Sequence, residues 1–131
     1  METKEDLTKF TYGLRMDFSA YVDPQAKGLR RETPRVMTIN QMKETRARIL
    51  DYVITTYGGT ITSDEIRVVG LGNDDVDFWI NNQETLSRVK TDLGAIVDDV
   101  TKRPSMEPIF HEREINWNGW GMKKWQNLLK Y

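Results

Sequence analysis

Three aspartates are predicted to lie close together in space, although they are distant in the sequence. Asp17 falls in the middle of an alternating segment, while Asp74 and Asp75 follow Gly72 and Asn73 in a short turn. Carboxylates brought together in this way repel one another unless a proton or a cation lies between them. Hard oxygen ligands favour Mg²⁺ or Mn²⁺, and two such ions roughly 3.5–4 Å apart can orient a triphosphate and activate an attacking hydroxyl. The three aspartates are therefore candidate metal ligands and catalytic residues.

A second set of residues suits the binding of a nucleotide. Four cations lie in the long connection 23–38, and these are Lys27, Arg30, Arg31 and Arg35. Long connections inside compact domains are often functional, and these cations are candidate ligands for a nucleoside triphosphate or a nucleic acid backbone. The simplest alternative is a solvated loop. Tyr21 and Trp79, predicted to point outward from two central strands, are candidate residues for stacking on a base.

The segment 10–22 is predicted to be the central strand of a sheet. Apolar residues alternate in it with polar or small ones without a break from Phe10 to Val22. A period of two over this length indicates a strand with one buried face. Asp17 falls on the opposite face, which must stay hydrated or bind a ligand.

Helical and extended patterns alternate along the rest of the chain. A helix is predicted to begin at a capping box of Thr38 and Gln41 and to end at the glycines 58–59. A second helix is predicted to follow an Asn81 cap, with apolar residues at helical spacing. Further predicted elements are strands at 65–71, 76–80 and 108–117, the last an edge strand, and a short helix at 120–131.

This order, βαββαβ, predicts an α+β fold with a ferredoxin-like arrangement. Two amphipathic helices need one apolar sheet face to cover, and right-handed crossovers place the first and third strands in the middle of the sheet. The expected architecture is an antiparallel sheet with both helices on one face, plus the short C-terminal helix. The 131 residues are expected to form one domain with its core in 10–117.

The position of the acids in this order resembles the palm domain of nucleotide polymerases and cyclases. Residues 17–21, Asp-Phe-Ser-Ala-Tyr, resemble the first-strand motif of nucleotidyl cyclases, in which an aromatic residue follows an aspartate four positions later. Residues 72–75, Gly-Asn-Asp-Asp, are similar to the GGDD hairpin of small CRISPR-type palm polymerases and, more distantly, to GGDEF cyclases. The resemblance implies that Asp17, Asp74 and Asp75 hold two Mg²⁺ ions around ATP or GTP. It further implies phosphodiester formation, with a cyclic or oligonucleotide product.

Two departures from the family motifs, Asn73 for a glycine and Ser19 for an acid, leave two other interpretations open. One is a non-enzymatic assembly or interaction subunit of an oligomeric complex, for example a viral one. Its contacts would come from the uncovered face of the sheet and from the aromatic residues of the C-terminal region. These residues cap the core if buried and form a homo-oligomer interface if exposed. These residues are Trp117, Trp120, Trp125 and Tyr131. The other is a nucleic-acid-binding module built on the cationic connection and Trp79.

The amino-acid composition excludes several other classes of protein and kinds of site. The chain has 19 Lys and Arg against 20 Asp and Glu, so only a local patch could attract nucleic acid or a membrane surface. The absence of cysteine excludes a disulfide framework, a thiolate nucleophile and a zinc finger. The single histidine, His111, excludes a polyhistidine metal site. No signal peptide or membrane span is apparent, so a cytoplasmic protein with no membrane partner is expected.

Overall fold

The computed structural model describes the backbone of residues 4–22, 32–33, 37–102 and 107–117, and the side chains of 6–18, 37–102 and 108–117. The predicted helix at 120–131 lies outside the described residues. The elements in chain order are α1 (Lys4–Leu7), β1 (Tyr12–Val22), β2 (Glu32–Thr33), α2 (Ile39–Tyr57), β3 (Ile66–Leu71), β4 (Asp75–Ile80), α3 (Gln83–Thr101) and β5 (Glu107–Glu114). The longer elements follow the predicted βαββαβ order.

The sheet is antiparallel, and β1 lies in its middle. β4 pairs with one edge of β1 and β5 with the other, while β3 pairs with the outer edge of β4. The order β5-β1-β4-β3 is that of a ferredoxin-like α+β fold, as predicted. The short strand β2, within a segment predicted to be a connection, pairs with the end of β1 through Tyr21↔Thr33 and Val22↔Glu32.

The main hydrophobic core lies between one face of the sheet and helices α2 and α3. Alternate residues of the two central strands point into it, and these are Leu14, Met16, Phe18, Val76, Phe78 and Ile80. Each buried side chain of this size contributes roughly 1.5–3 kcal/mol relative to its exposed state. The opposite face of the sheet carries no long helix in the described part of the chain, and we call it the open face.

The helix boundaries follow from local hydrogen bonds. The N–H of Gln41 donates to the Thr38 hydroxyl at 3.1 Å and the N–H of Thr38 donates to Gln41 Oε1 at 2.9 Å, which confirms the predicted capping box. Gly58 ends α2 in the left-handed conformation, with φ of 86°. The predicted cap of α3 is wrong by one residue. Because the N–H of Asn81 donates to the carbonyl of Glu65 in the sheet, Asn82 caps the helix instead.

A second hydrophobic cluster covers one end of the open face. It contains Leu7, Phe10 and Trp117, with Trp79 and Ile115 packed against them. Phe10 was predicted to begin the strand on the core side, but β1 begins at Tyr12 because the N–H of Phe10 donates to the Leu7 carbonyl at the end of α1. The predicted fourth strand is also shorter, since β5 ends at Glu114 and buried Trp117 lies in this cluster.

None of the helices in the described ranges combines the length and the apolar character needed to cross a membrane.

Candidate functional site

Asp17 and Asp75 are directly opposite each other in the β1–β4 pair. Their neighbours Met16, Phe18 and Val76 are buried in the main core, so the alternation of a strand places both aspartates on the open face. Directly opposed residues in an antiparallel pair have Cβ atoms about 4.5–5.5 Å apart. The register therefore brings two of the three candidate ligands together at the mouth of the β3–β4 hairpin.

The hairpin turn fixes the position of Asp75. The N–H of Gly72 donates to the backbone carbonyl of Asp75 at 2.9 Å. A Cβ atom at position 72 would collide with Asp75 Oδ1, so the carboxylate lies where a side chain of residue 72 would be. Asp74, the third candidate, lies in the turn, and its carbonyl accepts a hydrogen bond of 3.0 Å from the N–H of Phe18. A glycine at position 72 is thus needed for this placement of the carboxylate.

Arg15 and Asp77 form an ion pair on the open face, two residues along from Asp17 and Asp75. Arg15 Nε donates to Asp77 Oδ1 at 2.8 Å and Arg15 Nη2 donates to Oδ2 at 3.1 Å. The hydrogen bonds and charge of Asp77 raise the pKa of the Arg15 guanidinium, and the charges of Asp75 and Asp17 add to this effect. The side chain of Arg15 remains 55% exposed. The acidic region therefore contains a cation of its own.

The third strand of the open face is β5. His111 is opposite Arg15, and Ile109 is opposite Asp17. Two residues from Arg15 on β1, Gly13 is opposite Arg113. The Arg113 side chain passes over Gly13, as a Cβ atom at position 13 would lie 3.2 Å from Arg113 Nε. The charged part of the open face thus extends from β4 across β1 to β5.

Trp79 lies at the covered end of the open face. Its ring is half-buried, with centroids 6.4 Å from Phe10 and 5.1 Å from Trp117. These contacts give Trp79 a role in packing the second cluster. For Tyr21 the structure describes only the backbone, which pairs with Thr33 and Pro108. The four candidate phosphate ligands Lys27, Arg30, Arg31 and Arg35 lie outside the described residues.

The number of metal-binding side chains near the two aspartates determines which kind of metal site the protein can form. Within residues 6–18, 37–102 and 108–117, no group of three or more His, Cys, Asp or Glu side chains is arranged to hold a metal ion. Asp74 therefore does not complete a three-carboxylate group with Asp17 and Asp75. Mg²⁺ is often bound by one or two protein carboxylates together with water and substrate phosphates. The opposed pair has the number of protein carboxylates that such a mixed site uses, and it is too small a set for a cage made by the described side chains alone.

The ion pair of Arg15 and Asp77 was not predicted from the sequence, although the strand register indicates it. Once Asp17 is placed opposite Asp75, moving two residues along each antiparallel strand places Arg15 opposite Asp77. The composition of the two strands gives no separate signal for this ion pair. The role of Gly72 needs the side-chain geometry of Asp75 and is not visible in the sequence.

No protein-family model, curated protein or solved structure matches this chain. The resemblance to palm domains therefore depends on the two short motifs and on the fold. A ferredoxin-like fold supports many functions, so function has to be argued from the site.

Proposed function

We propose that this protein is a cytoplasmic, metal-dependent nucleotidyltransferase or cyclase of the palm type, which makes a cyclic or linear oligonucleotide from nucleoside triphosphates. The supporting observation is the opposition of Asp17 and Asp75 on the open face. Two opposed carboxylates supply hard oxygen ligands of the kind that Mg²⁺ and Mn²⁺ prefer. One Mg²⁺ or Mn²⁺ would be held by the two carboxylates and by the phosphates of the substrate.

Each aspartate belongs to a rigid element, which is what accurate positioning requires. Asp17 is on the central strand, and Asp75 is held by β4 and by the backbone of Gly72. When bound, the metal ion would supply the charge that orients the triphosphate and lowers the pKa of the attacking hydroxyl. The cations of the segment 23–38 are proposed to bind the phosphates, and Tyr21 to contact the base.

A direct assay tests the proposal. The protein is incubated with each nucleoside triphosphate and Mg²⁺ or Mn²⁺, and pyrophosphate and nucleotide products are measured by mass spectrometry. Asp17→Asn and Asp75→Asn are each expected to lower the rate at least about 100-fold, because each removes a charge that acts in the transition state. The control is Asp51→Asn, an exposed aspartate on α2, which should leave the rate unchanged. Product formation that survives both active-site variants would contradict the assignment.

A second candidate is a binding module without catalysis, and the ion pair of Arg15 and Asp77 favours it. This pair offsets part of the negative charge without a metal, and no three-ligand group is present among the described side chains. Such a module would assemble with further copies or partners, through Trp120, Trp125 and Tyr131 as predicted from the sequence, since Trp117 is buried. A failure of every triphosphate to yield product would favour this candidate over the enzyme.

A further inference from the structure

We infer that Arg15 is a binding residue for phosphate groups and that Asp77 competes with those groups for its donors. The inference deepens the proposed function, on which it rests for the position of the nucleotide. Among the described residues, Arg15 is thus the one that we assign to direct contact with the polyphosphate.

The first support is the geometry of the ion pair. Two nitrogen atoms of Arg15 donate to the two carboxylate oxygens of Asp77, at 2.8 and 3.1 Å. A guanidinium presents the same planar fork of donors to a carboxylate and to a phosphate. Asp77 therefore accepts the two hydrogen bonds that two oxygens of a phosphate would accept.

The second support is the location of Arg15. It lies two residues from Asp17 on the same face of β1, which is about 7 Å along a strand. A triphosphate held by a metal ion at Asp17 and Asp75 would extend over this distance. The Arg15 side chain is 55% exposed, so the remaining donors of the guanidinium can be reached from solvent.

The position of Asp77 depends on Gly70. Gly70 is opposite Asp77 in the β3–β4 pair, next to a register shift between Val68 and Gly70. A Cβ atom at position 70 would lie 2.8 Å from Asp77 Oδ2, so the carboxylate that pairs with Arg15 lies over Gly70, where a side chain of residue 70 would otherwise be.

Competition between Asp77 and a phosphate can be measured without metal and without a nucleotide base. Inorganic tripolyphosphate is titrated into the protein in the presence of a chelator, and the Kd is obtained by calorimetry. Asp77→Asn is expected to tighten binding roughly tenfold, because it frees the fork of donors and removes a competing charge. Arg15→Gln should weaken binding, and it should remove the gain from Asp77→Asn when the two changes are combined.

The exposed pair of Glu84 and Arg88 on α3 provides matched controls. Glu84→Gln changes the net charge as Asp77→Asn does, and Arg88→Gln changes it as Arg15→Gln does. Equal effects of the matched variants would overturn the inference, since only net charge would then matter. Unchanged binding in Arg15→Gln would overturn it as well.

This result is separable from the test of the proposed function. If Asp17→Asn and Asp75→Asn keep full product formation while Arg15 and Asp77 behave as expected, the catalytic proposal fails and the phosphate site stands. If those variants lose activity while Arg15→Gln binds tripolyphosphate normally, the catalytic proposal stands and the phosphate site is refuted.

Discussion

Side chains on the open face are arranged by the register of β1 with β4. The like-charged pair of Asp17 and Asp75 is followed, two residues along, by the oppositely charged pair of Arg15 and Asp77. Because side chains alternate between faces, a slip of β1 by one residue would turn Arg15 and Asp17 toward the core. The buried residues between them set this register and therefore also determine where the charged side chains lie.

Gly72 offers a test that changes no charged residue. Gly72→Ala would place a methyl group against Asp75 Oδ1 and displace the carboxylate from its position opposite Asp17. We expect a fall in product formation of about tenfold to 100-fold, since small displacements of a catalytic group are costly. The rate of product formation and the urea unfolding midpoint are measured together.

Gly94 provides the control for this substitution. It lies in the interior of α3, where a Cβ atom meets nothing within 4 Å. Gly94→Ala is expected to raise the free energy of unfolding by roughly 0.5–1 kcal/mol and to leave the rate unchanged. A Gly72→Ala variant with the activity of the unmodified protein would show that the placement of Asp75 is not required.

At the scale of elements, α2 and α3 are joined by polar contacts at their solvent-facing edges. Arg48 on α2 donates to Asp99 on α3 at 2.6 Å, and the Tyr52 hydroxyl donates to Asp92 at 2.6 Å. Burial, with the hydrogen bond to Asp92, raises the pKa of Tyr52. Tyr52 therefore keeps its proton, and this hydrogen bond, in ordinary neutral and mildly alkaline buffers.

Asp99 predicts a pH dependence of stability. The hydrogen bond from Arg48, and then that from Lys102, lower the pKa of Asp99. Its folded-state pKa lies below its unfolded value of about 3.9, so its contribution is present above that value and is lost as pH falls through the folded pKa. Asp99→Asn should lower the urea midpoint at about pH 6 and have a smaller effect at about pH 2, because the contribution of the carboxylate falls with the pH below its unfolded-state pKa.

The effect at Asp99 should be small, because this carboxylate is exposed to solvent and the ion pair is screened by salt. Asp51→Asn on the outer side of α2 is the control and should change neither midpoint. An Asp99→Asn variant with the same loss of stability at both pH values would indicate a packing effect in place of an electrostatic one.

The sequence predicted those elements whose pattern is local. The alternation of β1 and the capping box of Thr38 and Gln41 need only a few neighbouring residues, and both are present in the fold. Phe10 was placed on the wrong face because its position depends on α1 and on a contact with distant Trp117. The opposition of Asp17 and Asp75 followed from topology, whereas the ion pair of Arg15 and Asp77 required exact register.

At the scale of the whole molecule, residues from opposite ends of the described chain meet over β1. Trp117 Nε1 donates to the buried carbonyl of Phe10 at 2.7 Å, and both rings belong to the second hydrophobic cluster. The prediction from sequence left Trp117 either capping the core or exposed at an interface. The structure shows it buried, with 8% of its surface accessible.

Substitutions at Trp117 measure the strength of this connection. Trp117→Phe should lower the free energy of unfolding by about 1–3 kcal/mol, because the Phe10 carbonyl loses its donor. Trp117→Ala should cost about 3–5 kcal/mol through the cavity that it leaves. Urea unfolding gives both values, with Ile61→Ala, at an exposed residue, as the control. If Trp117→Ala unfolded at the same urea concentration as this control, the second cluster would not support the fold.

The central place of β1 also affects how the protein is made. A ribosome releases the segment 12–22 before its long partners, which are residues 75–80 and 107–114. The nascent chain must therefore carry an apolar strand with both edges largely unpaired until these later segments emerge. Pairing between such distant segments is slow, and exposed edges are prone to aggregation. Synthesis is thus a stage at which the unpaired edges of this segment are open to aggregation.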